Sequence, residues 1–166
     1  MKVEPATWDD ADVQRLAAAQ QAEVRARYDG KDEPGTPPSA ADISVVLVAR
    51  ADDGEALGCG ALRALAVDAA EVKRMYVAPS ARGHGVATAL LAELEDAARR
   101  RGWTTLRLET GPRQPEAIGL YVSAGYHPIP AFGAYVGDPD AEHSLFFERH
   151  LDAGTTKTRR GPSRPR

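Results

Sequence analysis

Apolar residues recur along this chain with two periods, and the switches between them mark its elements. Lys2 to Ala6 reads as a short strand. Thr7 or Asp9 can cap a helix from Asp10 to about Arg27, with an apolar stripe of Val13, Leu16, Ala17, Gln20 and Val24. Ile43 to Ala49 is a nearly continuous apolar run, which predicts a buried strand. Asp52-Asp53-Gly54-Glu55 predicts a hairpin turn into a partner strand over Leu57 to Val67, and Asp68-Ala69-Ala70 a second turn into a strand over Glu71 to Val77. In the next helix Val86, Leu90, Leu91, Leu94 and Ala97/Ala98 share a face, and Glu93, Glu95, Asp96, Arg99 and Arg100 populate the polar flanks until Gly102 ends it. Thr104 to Glu109 alternates as a strand, Glu116 to Ala124 is a short helix, Tyr126 opens an extended segment, and Ser144 to Glu148 is a last strand. The resulting order is β-α-β-β-β-α-β-α-β-β.

Between the third strand of the meander and the long helix lies Ala78-Pro79-Ser80, which ends the ladder because proline has no N–H to donate. Arg82-Gly83-His84-Gly85-Val86-Ala87 follows and runs straight into the helix. The first turn of a helix presents N–H groups without internal partners and a partial positive charge. Two glycines let a ligand approach that backbone closely, and Arg82 adds a permanent cation. The loop therefore reads as an anion site suited to a phosphate or pyrophosphate.

The wider pattern is more specific. Val77-Ala78-Pro79 followed by Arg82-x-x-Gly85-x-Ala87, and further on Ala117-Ile118-x-Leu120-Tyr121-x-x-x-Gly125-Tyr126, together resemble the two signature blocks of the GNAT superfamily of acyl-CoA-dependent N-acyltransferases. The resemblance covers about Glu71 to Tyr126. It implies an α+β fold, with a mixed, mostly antiparallel central sheet and helices on both faces. The strands carrying Glu71 to Val77 and Leu106 to Glu109 would splay apart to admit the pantetheine arm. It implies acetyl-CoA as co-substrate and an amine acceptor, either small molecule or peptide. The pyrophosphate would sit on the backbone of Arg82, Gly83, His84, Gly85, Val86 and Ala87. The backbone of Met75, Tyr76 and Val77 would pair with pantetheine and polarise the thioester carbonyl. Tyr121 would protonate the leaving thiolate, Glu71 would be the general base with Glu109 as its competitor, and Gln114 would take a cofactor-side position. The first helix and the Tyr28–Ser39 loop would line the acceptor side, making Glu23, Arg27 and Tyr28 candidates there, with the Phe132/Tyr135 loop also shaping acceptor choice.

Composition narrows the alternatives. A chain of 166 residues with 43% hydrophobic and 27% charged residues suits one globular domain, here residues 1–151. The net charge of −3 argues against a dedicated nucleic-acid binder. The N-terminus lacks a signal-peptide pattern and no stretch is apolar enough to span a membrane, so a cytoplasmic protein is expected. The lone Cys59 excludes an internal disulfide and reads as a small core residue. No spaced His/Cys/carboxylate set suggests a metal. From residue 152 the chain turns basic and loses apolar residues, the composition of a disordered tail. Two rivals follow from the same residues. Gly83-x-Gly85-x-x-Thr88 nearly matches a dinucleotide fingerprint, with Glu109 at ribose-binding distance, but Thr88 replaces the third glycine and a meander precedes it. The other rival is a non-catalytic CoA-binding regulatory domain. A homodimer paired through the C-terminal strand is a further expectation.

Overall fold

The computed structural model describes residues 1–152, so all but the first residue of the expected disordered tail lies outside the described residues. The elements follow the predicted order: β1 (Lys2–Pro5), α1 (Ala11–Arg27), β2 (Ile43–Arg50), β3 (Ala56–Ala66), β4 (Ala69–Val77), α2 (Val86–Arg100), β5 (Thr105–Thr110), α3 (Pro115–Ser123), β6 (His127–Ile129) and β7 (Leu145–His150). They build one seven-stranded open sheet in the spatial order β1-β2-β3-β4-β5-β7-β6. Every neighbouring pair is antiparallel except β4 and β5.

Local differences from the sequence reading have simple causes. The cap of α1 is Asp10, not Thr7 or Asp9: its carboxylate accepts the N–H groups of Asp12 (2.9 Å) and Val13 (3.2 Å). Ala69 and Ala70 are not turn residues but the buried start of β4, because they pair with β3 on one side and β5 on the other. Glu95 leaves the polar flank of α2. It is buried, ion-paired with Arg149, and accepts the Tyr126 hydroxyl at 3.4 Å. Helical periodicity cannot foresee a partner supplied from β7.

Two layers of side chains cover the sheet. On one face α2 and α3 bury Leu90, Leu91 and Leu94 against Leu47, Leu62, Val72, Leu106, Leu108 and Phe147. Each of those fully buried leucines stabilises the fold by about 1.5–3 kcal/mol. On the other face α1 places Leu16 against Val48, Cys59 and Tyr76, and Val13 against Val46 and Ala61. Cys59 is 1% exposed and burial pushes its thiol up to about 12, in keeping with a core position. Past the reach of α1, the Phe132–Tyr135 loop packs on Phe146.

The sheet opens at its centre. β4 and β5 pair only from Ala69 to Glu71 against Thr105 to Arg107; beyond that the two strands carry no ladder between them. The rest of β4 is also irregular. Its register against β3 slips between Cys59↔Tyr76 and Ala61↔Lys73, and Arg74 stands there at φ 54, a left-handed value that a non-glycine residue rarely takes. The opposing glycines make room for this bulge. A Cβ on Gly58 would lie 2.6 Å from the Tyr76 carbonyl oxygen, and one on Gly60 would lie 2.9 Å from Leu94.

Candidate active site

The gap between β4 and β5 opens into a cleft of about 660 Å³. Its floor is Met75, Tyr76 and Val77; its walls are α1, the start of α2, and α3. Arg82, Gly83, Gly85, Val86 and Ala87 line one end, and Gln114, Leu120 and Tyr121 line the opposite wall. The structure thus lines one cleft with Tyr121, Gln114 and all but His84 of the Met75–Val77 and Arg82–Ala87 segments, so the two sequence blocks face each other across it. His84 lies in the same loop, exposed, with Nδ1 3.4 Å from the Ala81 carbonyl. Glu71 lies elsewhere, and its competitor Glu109 is not among the lining residues either.

Gly83 and Gly85 stand at φ 79 and 78. Each could carry a Cβ without collision, so the backbone conformation is what requires glycine here. Gly85 is the N-cap of α2, and the first intrahelical bond runs from Ala89 N–H to its carbonyl at 3.0 Å. The N–H groups of Val86, Ala87 and Thr88, residues that line the cleft, therefore have no intrahelical acceptor, as an anion site requires. Arg82 is less free than its sequence position suggests. It donates to the Val77 carbonyl (3.0 Å), pairs with Glu23 (2.7 Å) and stacks over Tyr76 (5.4 Å from guanidinium carbon to ring centroid).

The α1 candidates form a brace across the mouth of the cleft. Glu23 pairs with both Arg82 and Arg27, and Arg27 reaches Glu116 at the start of α3. The Tyr28 hydroxyl accepts the Arg113 N–H at 2.9 Å and presses on Gly111, where a Cβ would lie 1.7 Å from it. Gln114 caps this turn by accepting the Gly111 N–H at 3.1 Å, and its backbone forms the N-cap of α3. Gln20, which sequence marked only as part of a stripe, donates to the Met75 carbonyl at 3.0 Å.

Tyr121 is 5% exposed and packs edge-on against Tyr126 at 5.6 Å. Its hydroxyl finds no hydrogen-bond partner among the described residues, yet it is not a sealed orphan; it faces the cleft. Burial, reinforced by the charges of Glu33 and Glu109, pushes this hydroxyl well above the ordinary tyrosine range, so it stays protonated at any physiological pH.

Glu71 is neither a strand-end carboxylate nor a wall of the cleft. It is 1% exposed and sits in register with Arg63 on β3 and Arg107 on β5. Arg63 donates to Oε1 through Nη2 (2.7 Å) and Nε (3.1 Å), and the Tyr135 hydroxyl donates to Oε2 at 2.6 Å. Lys73 lies 3.9 Å from the same oxygen and 3.0 Å from Glu33, which also holds Arg74. Those contacts tie the loop after α1 to the bulge of β4. Burial raises the Glu33 carboxyl, but Lys73 and Arg74 outweigh it and hold the group below the usual range. Sequence reasoning missed this network, because nothing local announces that Arg63, Glu71, Lys73, Glu33 and Tyr135 will meet.

Glu109 sits on β5 just where β4 has peeled away. Burial, then the neighbouring Glu33 charge, raises its carboxyl to about 7, against a small opposing effect of Ser144 and Lys73. It is the described carboxylate best poised to exchange a proton near neutral pH.

Fold and site together define an acyl-CoA-binding enzyme of the split-sheet type, and the comparisons identify its family. The model of the acetyltransferase (GNAT) family matches residues 9–126, and the chain belongs to that family. It is 44% identical over 109 residues to an IAA acetyltransferase of Azospirillum brasilense, covering 63% of this chain and 67% of that protein. An uncharacterized N-acetyltransferase of Bacillus subtilis, YsnE, is 36% identical over 99 residues, covering 58% of this chain and 64% of the relative. The match therefore spans about two thirds of the length of these curated relatives. A crystal structure of a Klebsiella pneumoniae protein assigned as an acyl-CoA N-acyltransferase superposes with a TM-score of 0.76 at 37% identity, covering 91% of this chain and 97% of that one. A GNAT family acetyltransferase of Elizabethkingia anophelis with acetyl-CoA bound has the same fold, with a TM-score of 0.63 at 17% identity over 90% and 97% of the two chains. The chain is accordingly an acyl-CoA-dependent acetyltransferase with the α+β sheet expected of it, and acetyl-CoA is its co-substrate. The dinucleotide and non-catalytic alternatives fall away. No described helix is long and apolar enough to cross a membrane.

Proposed function

We propose that this enzyme transfers the acetyl group of acetyl-CoA to a primary amine by direct attack, with Glu109 as general base and Tyr121 as general acid. The observation that carries the reading is the Tyr121 hydroxyl, without a described protein partner on a residue that lines the cleft.

The pyrophosphate of the co-substrate lies against the N–H groups of Val86, Ala87 and Thr88, with Gly83 and Gly85 giving the loop its shape. Arg82 and His84 complete that end, and Arg82 changes partner from Glu23 to the phosphates. The pantetheine extends along Met75, Tyr76 and Val77, whose carbonyls release Gln20 and Arg82 as it does so. Gln114 holds the far wall. The amine enters beside Glu109, which takes its proton before or during attack on the thioester carbonyl. The C–N bond forms, the C–S bond breaks, and the Tyr121 O–H supplies the proton to the departing sulfur. A proton acceptor near 7 matches an amine that must shed a proton at neutral pH.

The proposal moves the base from Glu71 to Glu109. Both Glu71 oxygens are engaged, and withdrawing its charge would leave the Arg63 guanidinium without its buried carboxylate. The test is acetyl-CoA-dependent thiol release with a panel of amines, comparing the wild type with Tyr121→Phe. The expected loss is about 10²-fold in kcat with the KM for acetyl-CoA held within about twofold. An unchanged kcat would remove Tyr121 from the reaction.

A further inference from the structure

We propose that His127, Glu148 and His150 form a binding site for a divalent transition-metal ion of the Zn²⁺ class, on the sheet face away from the acetyl-CoA cleft. None of the three lines that cleft.

The register places them together. His127 on β6 stands directly opposite Glu148 on β7, and His150 lies two residues further along β7, so all three side chains emerge on one face. They close a row that crosses the sheet from Arg63 through Glu71, Arg107 and Glu148 to His127. Glu148 Oε1 is 3.1 Å from His150 Nε2 and 3.8 Å from His127 Nε2, and one ligand atom from each residue lies within 4.8 Å of both others. A tetrahedral ion with bonds of roughly 2.0–2.1 Å sets its ligand atoms roughly 3.3 Å apart, so the Glu148–His150 pair already fits and the widest separation closes by about 1.5 Å or less through rotation of exposed imidazoles.

Neighbouring groups orient the donors. Thr105 Oγ1 lies 3.1 Å from His150 Nδ1, which turns Nε2 toward Glu148. Arg107 Nε holds Glu148 Oε2 at 2.7 Å, leaving Oε1 as the donor for both imidazoles. Outer partners of this kind fix ring orientation and carboxylate rotamer before the ion arrives. Two imidazoles with one carboxylate select an ion of borderline softness and leave a fourth position open to water or to a group from another molecule. The two histidines are half to two-thirds exposed, so the ion can enter from solvent.

Such an ion would link β6 to β7 by side chains as well as by backbone. β6 is only three residues long, is the edge strand, and follows directly on Tyr126, which packs against Tyr121. The ion thus braces the segment that backs the wall of the cleft.

The experiment is calorimetric titration of the full chain, free of any histidine tag, with ZnCl₂. Comparators are His127→Ala, His150→Ala and the double variant His84→Ala/His143→Ala, which removes the other two of the four histidines. The expected result is one equivalent bound, at least tenfold weaker in either single variant and unchanged in the double one. Zn²⁺ should also raise the unfolding temperature of the wild type and not of His150→Ala. Absence of saturable binding, or binding that survives both single variants or disappears with His84 and His143, overturns the site.

Discussion

Replacing Glu109 by Gln separates the proposed base from its surroundings, and the structure sets the size of the effect. The carboxyl is raised from an ordinary 4.5 to about 7, first by burial and then by Glu33. A folded state that holds a proton more tightly than the unfolded chain loses stability as pH rises from the unfolded value through the folded one. Ionised Glu109 thus costs the fold about 3 kcal/mol at pH 8 that it does not cost at pH 4. Gln has nothing to ionise. Urea or thermal unfolding of wild type and Glu109→Gln should give similar stabilities at about pH 4, diverge as pH rises from about 4.5 to about 7 and run parallel above that, the variant being more stable by up to about 3 kcal/mol, or roughly 6–12 °C in midpoint. The same variant should lose about 10²–10⁴ in kcat/KM, together with the ascending limb near 7 expected of the wild type. A stability difference independent of pH, or a variant that keeps the limb, would refute Glu109 as the base. Gaining stability while losing activity is an outcome that a merely structural carboxylate would not give.

Three further outcomes follow from the geometry. Glu71→Ala takes from Arg63 the buried carboxylate that holds its guanidinium and should cost about 3–5 kcal/mol by denaturant unfolding; a loss under about 1 kcal/mol would mean that water or another carboxylate replaces it. Gly58→Ala drives a methyl toward the Tyr76 carbonyl oxygen, now 2.6 Å from that position, and should cost about 1–3 kcal/mol while weakening acetyl-CoA binding in calorimetry, because the bulged floor of the cleft must move. Gly85→Ala forces a left-handed residue at φ 78 and should cost about 1–2 kcal/mol with weaker co-substrate binding, although the added methyl meets nothing.

Much of the cofactor half of the site was legible in the chain because its physics is local. A Pro that ends a strand, two glycines and a helix with an apolar stripe occupy consecutive residues, and their consequence, unpaired N–H groups aimed at an anion, needs nothing from elsewhere. Tyr121 was singled out only through the resemblance of a second short block to the GNAT family, since no local physics marks a tyrosine on a short helix. The surroundings of the carboxylates were not legible. Glu71 and Glu109 are both strand carboxylates with apolar neighbours, and sequence ranks Glu71 first.

What separates the two carboxylates is register. One pairing places Arg63 opposite Glu71 and another sets Arg107 beside it, while Tyr135 arrives from a loop more than sixty residues away. Glu109 escapes such pairing because β4 leaves β5 two residues earlier, so burial and the Glu33 charge outweigh Lys73 and raise its carboxyl. The bulge at Arg74, the glycines that admit it and the brace of Glu23 with Arg27 likewise exist only once strands and helices meet. The sequence by itself determined the order of elements, the faces they bury and the anion loop, since each depends on residues a few positions apart. The tertiary structure alone decided which charges are neutralised and which remain free to react, since that depends on distances the chain closes only by folding.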